Sequence, residues 1–252
     1  MSLVSTNWLE KNLSKIRIID ASWHMPNSGR NAYEEYLKTH IENTVFFDLD
    51  KNSDEKSSLP HMLPNAEKWG KIVSDFGIKN SDHIVIYDNS DTISSCRCWY
   101  SFIYFGHDFK KVSVLNGGLR KWLEEKKPVS DKKIKFNKSE YAVIENKSLV
   151  KNKEQIKKNI ISNQFELVDA RSEQRFKGLV PEPRKGLKSG CIKNSYCLPF
   201  SELINNDHTF ISKDKILEKF KSINFDNNKN VVFSCGSGVT ASVLALAYSL
   251  IN

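Results

Sequence analysis

The sequence has few of the features that mark secreted or membrane proteins. Its 252 residues include only five cysteines, an odd number at irregular spacings, and we recognise no secretory signal before Trp8. We therefore expect reduced thiols and a cytoplasmic protein. No apolar run approaches the ~20 residues that cross a bilayer. The closest run, Val239 to Ile251, is predicted to be a buried helix, and we expect no membrane partner.

The chain also lacks a concentrated basic surface, although its net charge is +8. Its lysines are scattered among asparagines, and no stripe of basic and aromatic residues is present, so we expect no nucleic-acid partner. Cys96 and Cys98 lie one residue apart in a predicted helix, where they point to different faces. They form a poor metal or disulfide pair, and we expect neither a metal nor a cofactor.

One cysteine, Cys235, lies in a short loop between a predicted strand and a predicted helix. Val231 to Phe233 is an apolar run of β-forming residues, and Ala241 to Leu250 has strong helix propensity. Gly236 and Gly238 allow a sharp turn between them. Because N–H groups in the first turn of a helix favour an anion, the loop predicts that Cys235 is a thiolate nucleophile.

The alternative for Cys235 is a small apolar residue of the core, which is the commonest place for a free cysteine. A core cysteine has no need of the two glycines, the serine and the threonine that follow it, whereas a nucleophile held by backbone amides does. We therefore favour the nucleophile.

The two halves of the chain repeat one pattern. Three segments recur about 150 residues later, which indicates a duplicated domain. The matched pairs are Ile16–Ala21 with Phe165–Arg171, Thr39–Thr44 with Gly190–Ser195, and Ile84–Asp88 with Val231–Cys235. Strands alternate with helical segments in each half, so we predict an α/β fold in which each domain is a parallel sheet with helices on both faces.

The duplication also distinguishes the halves. Asp88 takes the place of Cys235 in the first half, so only the second is expected to perform covalent chemistry. We predict a non-catalytic domain over residues 1–130, a linker over 131–153 and a catalytic domain over 154–252. The counterpart of the strand and helix around Val112 to Trp122 would fall beyond Asn252. We therefore expect the second domain to be truncated, without its last strand and helix.

Three groups of motifs resemble the tandem-rhodanese sulfurtransferases, and among these the 3-mercaptopyruvate sulfurtransferases. They are the loop Cys235 to Thr240, the segments Asp169–Arg171, Arg175–Phe176 and Pro181–Arg184, and the segments Phe46–Asp50 and His61–Pro64. The related thiosulfate sulfurtransferases have charged residues after the cysteine. Here Gly236 and Ser237 follow it, which favours mercaptopyruvate as the sulfur donor.

The resemblance implies a ping-pong reaction. The Cys235 thiolate attacks the sulfur of 3-mercaptopyruvate, pyruvate leaves, and a persulfide remains until a thiol such as thioredoxin, or cyanide, removes the outer sulfur. Two arginines, Arg175 and Arg184, match the family's carboxylate-binding positions, and guanidinium suits this task because it engages a carboxylate through two parallel bonds. The amides of the loop are expected to hold the persulfide; its residues are Gly236, Gly238, Val239 and Thr240.

Ser237, His61 and Asp50 resemble the family's proton-relay set, with His61 and Asp50 supplied by the first domain. A neutral imidazole held by a carboxylate would orient Ser237 to move a proton. In the alternative, His61 only stabilises the seam between the domains and Ser237 only hydrogen-bonds the thiolate.

Three other functions compete with this reading. A thiosulfate sulfurtransferase would use the same nucleophile with another donor. A cysteine phosphatase needs an arginine six positions after the cysteine, where this chain has Ala241. A non-catalytic binding module, or an inactive fragment, would have no chemical use for Cys235 and the two arginines. We expect an enzyme, and a monomer.

Overall fold

The computed structural model describes residues 2–184 and 186–252. The chain forms two compact units. The first unit comprises residues 1–146 with 206–209, and the second unit comprises 147–205 with 210–252. The division between residues 146 and 147 falls inside the segment predicted as a linker.

The first unit has seven strands among the described residues, β1 (Leu3–Val4), β2 (Arg17–Asp20), β3 (His40–Ile41), β4 (Thr44–Phe46), β5 (Ile84–Tyr87), β6 (Val112–Leu115) and β7 (Val129–Ser130). Five of them form a sheet of order β1-β6-β5-β2-β4, in which all neighbours are parallel. A two-stranded antiparallel ribbon joins β3 to β7. Its helices are α1 (Thr6–Glu10), α2 (Ala32–Lys38), α3 (Ala66–Asp75), α4 (Ser95–Tyr104) and α5 (Gly118–Glu124).

The core of the first unit follows from its runs of apolar β-forming residues. Both β5 and β6 are buried along their whole length, as expected for central strands with helices on both faces. One cluster joins Ile18 of β2 and Val85 of β5 to Leu9 and Trp122 of the flanking helices. Burial of these side chains stabilises the unit by about 1.5–3 kcal/mol each.

The strands of the second unit are β8 (Phe165–Asp169), β9 (Ser195–Cys197) and β10 (Asn230–Ser234). They form a parallel sheet of order β10-β8-β9. Its helices are α6 (Lys153–Ser162), α7 (Glu173–Phe176), α8 (Lys213–Ser222) and α9 (Val239–Ser249). The helix α9 buries most of its residues, including Val243 and Leu244, which agrees with the buried helix predicted from its apolar sequence.

The two sheets share a core topology, so the predicted duplication is confirmed. In the first unit Asp20 pairs in register with Tyr87 on one side and Phe46 on the other. In the second, Asp169 pairs with Ser234 and Cys197. The order β10-β8-β9 thus repeats β5-β2-β4. Among the described residues, the second unit has no strand after β10 and no helix after α9.

One predicted correspondence differs in detail. His40 and Ile41 form β3, which pairs with β7. Their counterparts in the second unit, Cys191 and Ile192, lie in irregular structure before β9. The described part of the second unit offers no partner strand equivalent to β7, so a short strand here would leave its N–H and C=O groups unpaired.

Residues 2–184 and 186–252 contain neither a membrane-spanning helix nor a cluster of metal-binding side chains. No helix there is long and apolar enough to cross a membrane. No group of three or more histidine, cysteine, aspartate or glutamate side chains there is arranged to hold a metal ion.

Candidate active site

Cys235 lies immediately after β10 and four residues before α9 begins. Its side chain is partly exposed, and its Sγ accepts a hydrogen bond of 3.1 Å from the backbone N–H of Gly238. This amide belongs to the residue that precedes the first turn of α9, where N–H groups lack helical partners. An N–H that donates to sulfur at the positive end of a helix can stabilise negative charge that develops there during a reaction.

Gly238 makes this geometry possible. Its φ of 81° lies in the left-handed region, which is costly for any residue with a Cβ. The carbonyl oxygen of Gly238 accepts a hydrogen bond of 2.8 Å from the hydroxyl of Ser242, one turn into α9. Both polar groups of this peptide therefore have partners, which fixes the amide that faces the sulfur.

Arg175 lies beside the same loop. Its Nη2 is close enough to Gly236 that a Cβ added to the glycine would come within 3.3 Å of it. Glu182 holds this guanidinium at two points, at 2.6 Å from Nη2 and 3.1 Å from Nε. The Glu182 side chain is only 4% exposed, so its position is set by the protein and not by solvent.

Arg184, which lies two residues after Glu182, also contacts the loop. Its Nη2 donates a hydrogen bond of 3.3 Å to the carbonyl oxygen of Gly236. Arg184 is exposed, which leaves its guanidinium accessible to a solute. Two guanidiniums therefore border Gly236, and this loop can attract a small anion.

A third arginine, Arg171, also binds Glu182. Arg171 donates to Oε1 of Glu182 at 2.8 Å, to Asp169 at 2.6 Å and to the carbonyl of Gly190 at 2.8 Å. Asp169 is the last residue of β8, so the network is anchored to the sheet. The hydrogen bond from Arg175 is the main reason that the pKa of Glu182 is lowered below its ordinary 4.5.

The charges of this network are only partly paired. Arg171 and Arg175 make short contacts with the carboxylates of Asp169 and Glu182, which favours the ionised forms. Arg184 makes no such contact with a carboxylate among the described residues; its guanidinium donates to the carbonyl oxygen of Gly236. The Arg184 guanidinium is therefore available to a ligand that carries a carboxylate.

Three of the other four cysteines are less suited to nucleophilic attack. Burial raises the pKa of Cys96 and Cys98 well above its usual value. Burial also raises the pKa of Cys197 to about 11, and its Sγ lies 3.7 Å from the carbonyl oxygen of Arg171. These three thiols stay protonated at neutral pH and are poor nucleophiles.

Asp50 and His61 come together in the first unit. Nε2 of His61 lies 2.9 Å from Oδ1 of Asp50. The imidazole is buried, whereas 67% of the Asp50 side chain is exposed. Among the described residues Nδ1 of His61 has no hydrogen-bond partner. With the proton on Nε2 facing the carboxylate, Nδ1 carries the lone pair that can accept a proton.

Trp23 completes this pair. Its indole Nε1 donates to both oxygens of Asp50, at 3.2 and 3.1 Å. Its ring meets His61 edge-on, with centroids 4.8 Å apart and planes at 84°. Trp23 and Asp50 also line a cavity of about 210 Å³ whose other walls include Tyr33 and Phe46. The pKa of Asp50 is lowered, first by the hydrogen bond with His61 and also by the bond from Trp23.

The structure therefore places the predicted residues in two sets. The set in the second unit consists of Cys235, Gly236, Ser237, Gly238, Val239, Thr240, Arg175 and Arg184. Asp50 and His61 form the set in the first unit. Within the loop Ser237 is half-buried, Val239 is buried as the first residue of α9, and Thr240 is half-buried. Their roles in catalysis stay predictions.

Three contributors were not assigned from the sequence, namely Glu182, Arg171 and Trp23. The motifs Asp169–Arg171 and Pro181–Arg184 indicated the segments that contain the first two. Nothing in those motifs indicated that Glu182 pairs with both arginines. For Trp23 the sequence carried no such signal.

Comparisons with known proteins agree with this architecture. The family of the rhodanese-like domain matches residues 5–125 and 152–251. The 3-mercaptopyruvate sulfurtransferase of Mus musculus is 38% identical over 253 residues, which cover 97% of this chain and 84% of that protein. The thiosulfate sulfurtransferase of Bos taurus is 37% identical over 255 residues, which cover 98% of this chain and 85% of that protein.

A solved structure shows the same fold. The crystal structure of SseA from Escherichia coli, described as a 3-mercaptopyruvate sulfotransferase with the rhodanese fold, superposes with a TM-score of 0.90 at 30% identity. The match covers 100% of this chain and 95% of SseA. The chain belongs to the rhodanese family and contains two copies of the rhodanese-like domain.

Proposed function

We propose that this protein is a sulfurtransferase that takes sulfur from 3-mercaptopyruvate and holds it as a persulfide on Cys235. The observation that carries the proposal is the hydrogen bond from the Gly238 amide to Sγ of Cys235, in a loop bordered by Arg175 and Arg184. A nucleophilic sulfur, an amide that stabilises negative charge on it, and cationic groups for a carboxylate are the parts that this reaction needs.

In the first half of the reaction, Sγ of Cys235 attacks the sulfur of the donor. The new S–S bond forms as the C–S bond of mercaptopyruvate breaks, and the electron pair of that bond passes to the carbon chain. The departing enolate takes up the proton that the thiol group of mercaptopyruvate loses, and becomes pyruvate. The outer sulfur of the persulfide carries the negative charge, and we expect the loop amides from Gly236 to Thr240 to stabilise it, as the Gly238 amide contacts Sγ of Cys235.

A proton is needed at the departing enolate. We assign its transfer to the relay of Asp50, His61 and Ser237. The tautomer of His61 that has Nε2–H bonded to Asp50 leaves a basic nitrogen at Nδ1. The relay rests on the family resemblance, and the pair Asp50–His61 supports it.

In the second half, a thiolate acceptor attacks the outer sulfur and restores the Cys235 thiolate. We propose a thiol protein of the thioredoxin type as the acceptor, and cyanide serves as a small-molecule substitute. The partial exposure of Cys235 suits an acceptor that must reach the sulfur.

Thiosulfate is the second candidate donor, because the chain is 37% identical to a thiosulfate sulfurtransferase. Mercaptopyruvate is favoured since thiosulfate is a dianion, and its binding is expected to gain from positive charge in the loop itself. Gly236 and Ser237 bring none.

The test is pyruvate release from 3-mercaptopyruvate with a thiol acceptor, beside sulfite release from thiosulfate. Cys235→Ser is expected to abolish turnover, whereas Cys191→Ser, which alters an exposed thiol, is expected to keep it. Faster sulfite release from thiosulfate than pyruvate release from mercaptopyruvate would identify the enzyme as a thiosulfate sulfurtransferase. A folded wild-type chain without turnover would favour a binding module. Light scattering in the same buffer tests our proposal of a monomer.

A further inference from the structure

The first unit keeps a loop that corresponds to the nucleophile loop but has no nucleophile. Asp88 follows β5 as Cys235 follows β10. Its carboxylate accepts hydrogen bonds from the backbone N–H groups of Ser90, at 2.9 Å, and Ser95, at 2.8 Å. Asp88 is only 5% exposed, so the anion position at the start of α4 is filled by the chain itself. This loop cannot bind a second sulfur.

Two serines of this Asp88 loop hold Trp23. The hydroxyl oxygens of Ser90 and Ser94 both accept from the backbone N–H of Trp23, at 2.8 and 3.1 Å. Ser94 donates in turn to the carbonyl oxygen of Ala21 at 2.7 Å. Both serines are 1% exposed. The main chain of Trp23 is therefore fixed by buried hydrogen bonds, which are costly to break.

The side chain of Trp23 in turn restrains Asp50. An indole N–H that donates to both carboxylate oxygens restricts rotation of a side chain that is otherwise largely exposed. The edge of the ring also fixes the plane of His61. An acid–base pair works best when its groups are held in the productive geometry before the substrate arrives.

His61 is held by α4, the helix that follows the Asp88 loop. Its φ of 56° lies in the left-handed region, which few residues other than glycine adopt. Nη2 of Arg97, in α4, donates to the carbonyl oxygen of His61 at 2.7 Å and stabilises this conformation. The loop and the helix that follow β5 therefore support both members of the Asp50–His61 pair.

We propose that Trp23 is a positioning residue for the Asp50–His61 pair, and that the Asp88 loop, without a nucleophile, serves as its support. The inference rests on the proposed function, in which that pair moves the proton during sulfur transfer. The first domain has no nucleophile, yet it contributes to the chemistry because it positions this pair.

The test is Trp23→Phe, which removes the indole N–H and keeps an aromatic ring. We expect kcat for pyruvate release to fall about tenfold while KM stays within about twofold, since the donor's carboxylate is bound elsewhere. Trp99→Phe is the matched control. Its Nε1 is buried without a hydrogen-bond partner in the described residues, so loss of that N–H is expected to leave kcat unchanged.

A double-mutant cycle separates positioning from general destabilisation. If Trp23 acts through Asp50, Trp23→Phe will slow the Asp50→Asn enzyme by less than twofold. An equal tenfold loss in both backgrounds, or a loss in Trp99→Phe as large as in Trp23→Phe, would overturn the proposal.

A titration of the Asp50 carboxyl by nuclear magnetic resonance gives a readout besides activity. Removal of the indole donor is expected to raise the pKa of Asp50, and an unchanged titration would contradict the proposal. If the wild-type enzyme releases no pyruvate, the proposed function fails. The titration would still decide whether Trp23 holds Asp50.

Discussion

Glu182 accepts two hydrogen bonds from Arg175, 2.6 Å from Nη2 and 3.1 Å from Nε, and fixes that guanidinium beside Gly236. The orientation of Arg175 is thus determined by the protein before a donor arrives. A binding group that is already ordered loses little conformational entropy when the ligand binds. Glu182 also neutralises part of the positive charge of the arginines. Its main contribution to the site is therefore to orient Arg175.

Glu182→Gln is expected to lower the free energy of unfolding by about 3 kcal/mol at pH 7, because two arginines lose a buried charged partner. The pKa of Glu182 is lowered in the folded state, so this stabilisation is present above about pH 4.5 and is lost as the pH falls through the folded value. Urea denaturation at a series of pH values should show the wild type and the variant converging in acid.

The control for this change is Glu173→Gln, which alters an exposed glutamate paired with Lys177. A surface pair of this kind contributes about 0.3–0.5 kcal/mol. A difference between Glu182→Gln and the wild type that stays constant from pH 7 to acid would show that the charge of Glu182 is not what stabilises the site.

Gly236→Ala is expected to lower kcat/KM for mercaptopyruvate about fivefold. The new Cβ would lie 3.3 Å from Nη2 of Arg175, and a contact this short requires a shift of a few tenths of an ångström. Gly236 is exposed, and its φ lies outside the left-handed region, so its unfolding free energy should stay within about 0.5 kcal/mol of the wild type. Unchanged kinetics would remove Arg175 from the binding of the donor.

The fold class, the duplication and the family were predicted correctly because their signals are local. Apolar runs such as Ile84 to Tyr87 define central strands, and the recurrence of three segments defines the repeat. The glycines around Cys235 marked the turn in the same way. The sequence also placed the start of α9 close to its observed first residue, Val239.

The hydrogen-bond networks around these residues could not be predicted from the sequence, since they depend on side-chain rotamers and on contacts between distant segments. Trp23 reaches Asp50 across 27 positions, and no local pattern links an indole to a carboxylate. The pairing of Glu182 with Arg171 and Arg175 depends equally on how the segment 181–184 folds back. The relay, the domain limits, the acceptor and the cellular compartment stay predictions.

Gly238→Ala is expected to lower stability by about 1 kcal/mol and the rate of persulfide formation by tenfold or more. The φ of 81° is unfavourable for alanine, and relaxation of this strain would move the amide that donates to Cys235. Stopped-flow measurement of pyruvate release in the first turnover isolates this step.

Gly29→Ala is the matched control for Gly238→Ala. Gly29 also has a left-handed φ, 68°, and nothing lies within 4 Å of an added Cβ. It should lose a similar stability of about 1 kcal/mol at full activity. If both variants turn over like the wild type, the Gly238 amide does not contribute to the chemistry.

Asp20, at the end of β2, provides a separate test of the buried electrostatics in the first unit. Burial raises the pKa of Asp20 from 3.8 to about 7, although the Ser22 N–H donates to its carboxylate at 2.9 Å. Between these values the folded state keeps a proton that the unfolded chain has lost. The free energy of unfolding therefore falls as the pH rises from about 4 to about 7.

Asp20→Asn is expected to abolish this part of the pH dependence, because the amide has no proton to lose. Relative to the wild type, the variant should gain stability by up to about 4 kcal/mol between pH 4 and pH 8, at about 1.4 kcal/mol for each unit of pKa shift. Urea denaturation across this range measures the effect, and Asp131→Asn, which alters an exposed aspartate outside any strand or helix, is the control. Parallel stability curves for Asp20→Asn and the wild type would mean that Asp20 is already ionised in the folded protein at pH 4, and that its bonds with Ser22 and Tyr87 outweigh its burial.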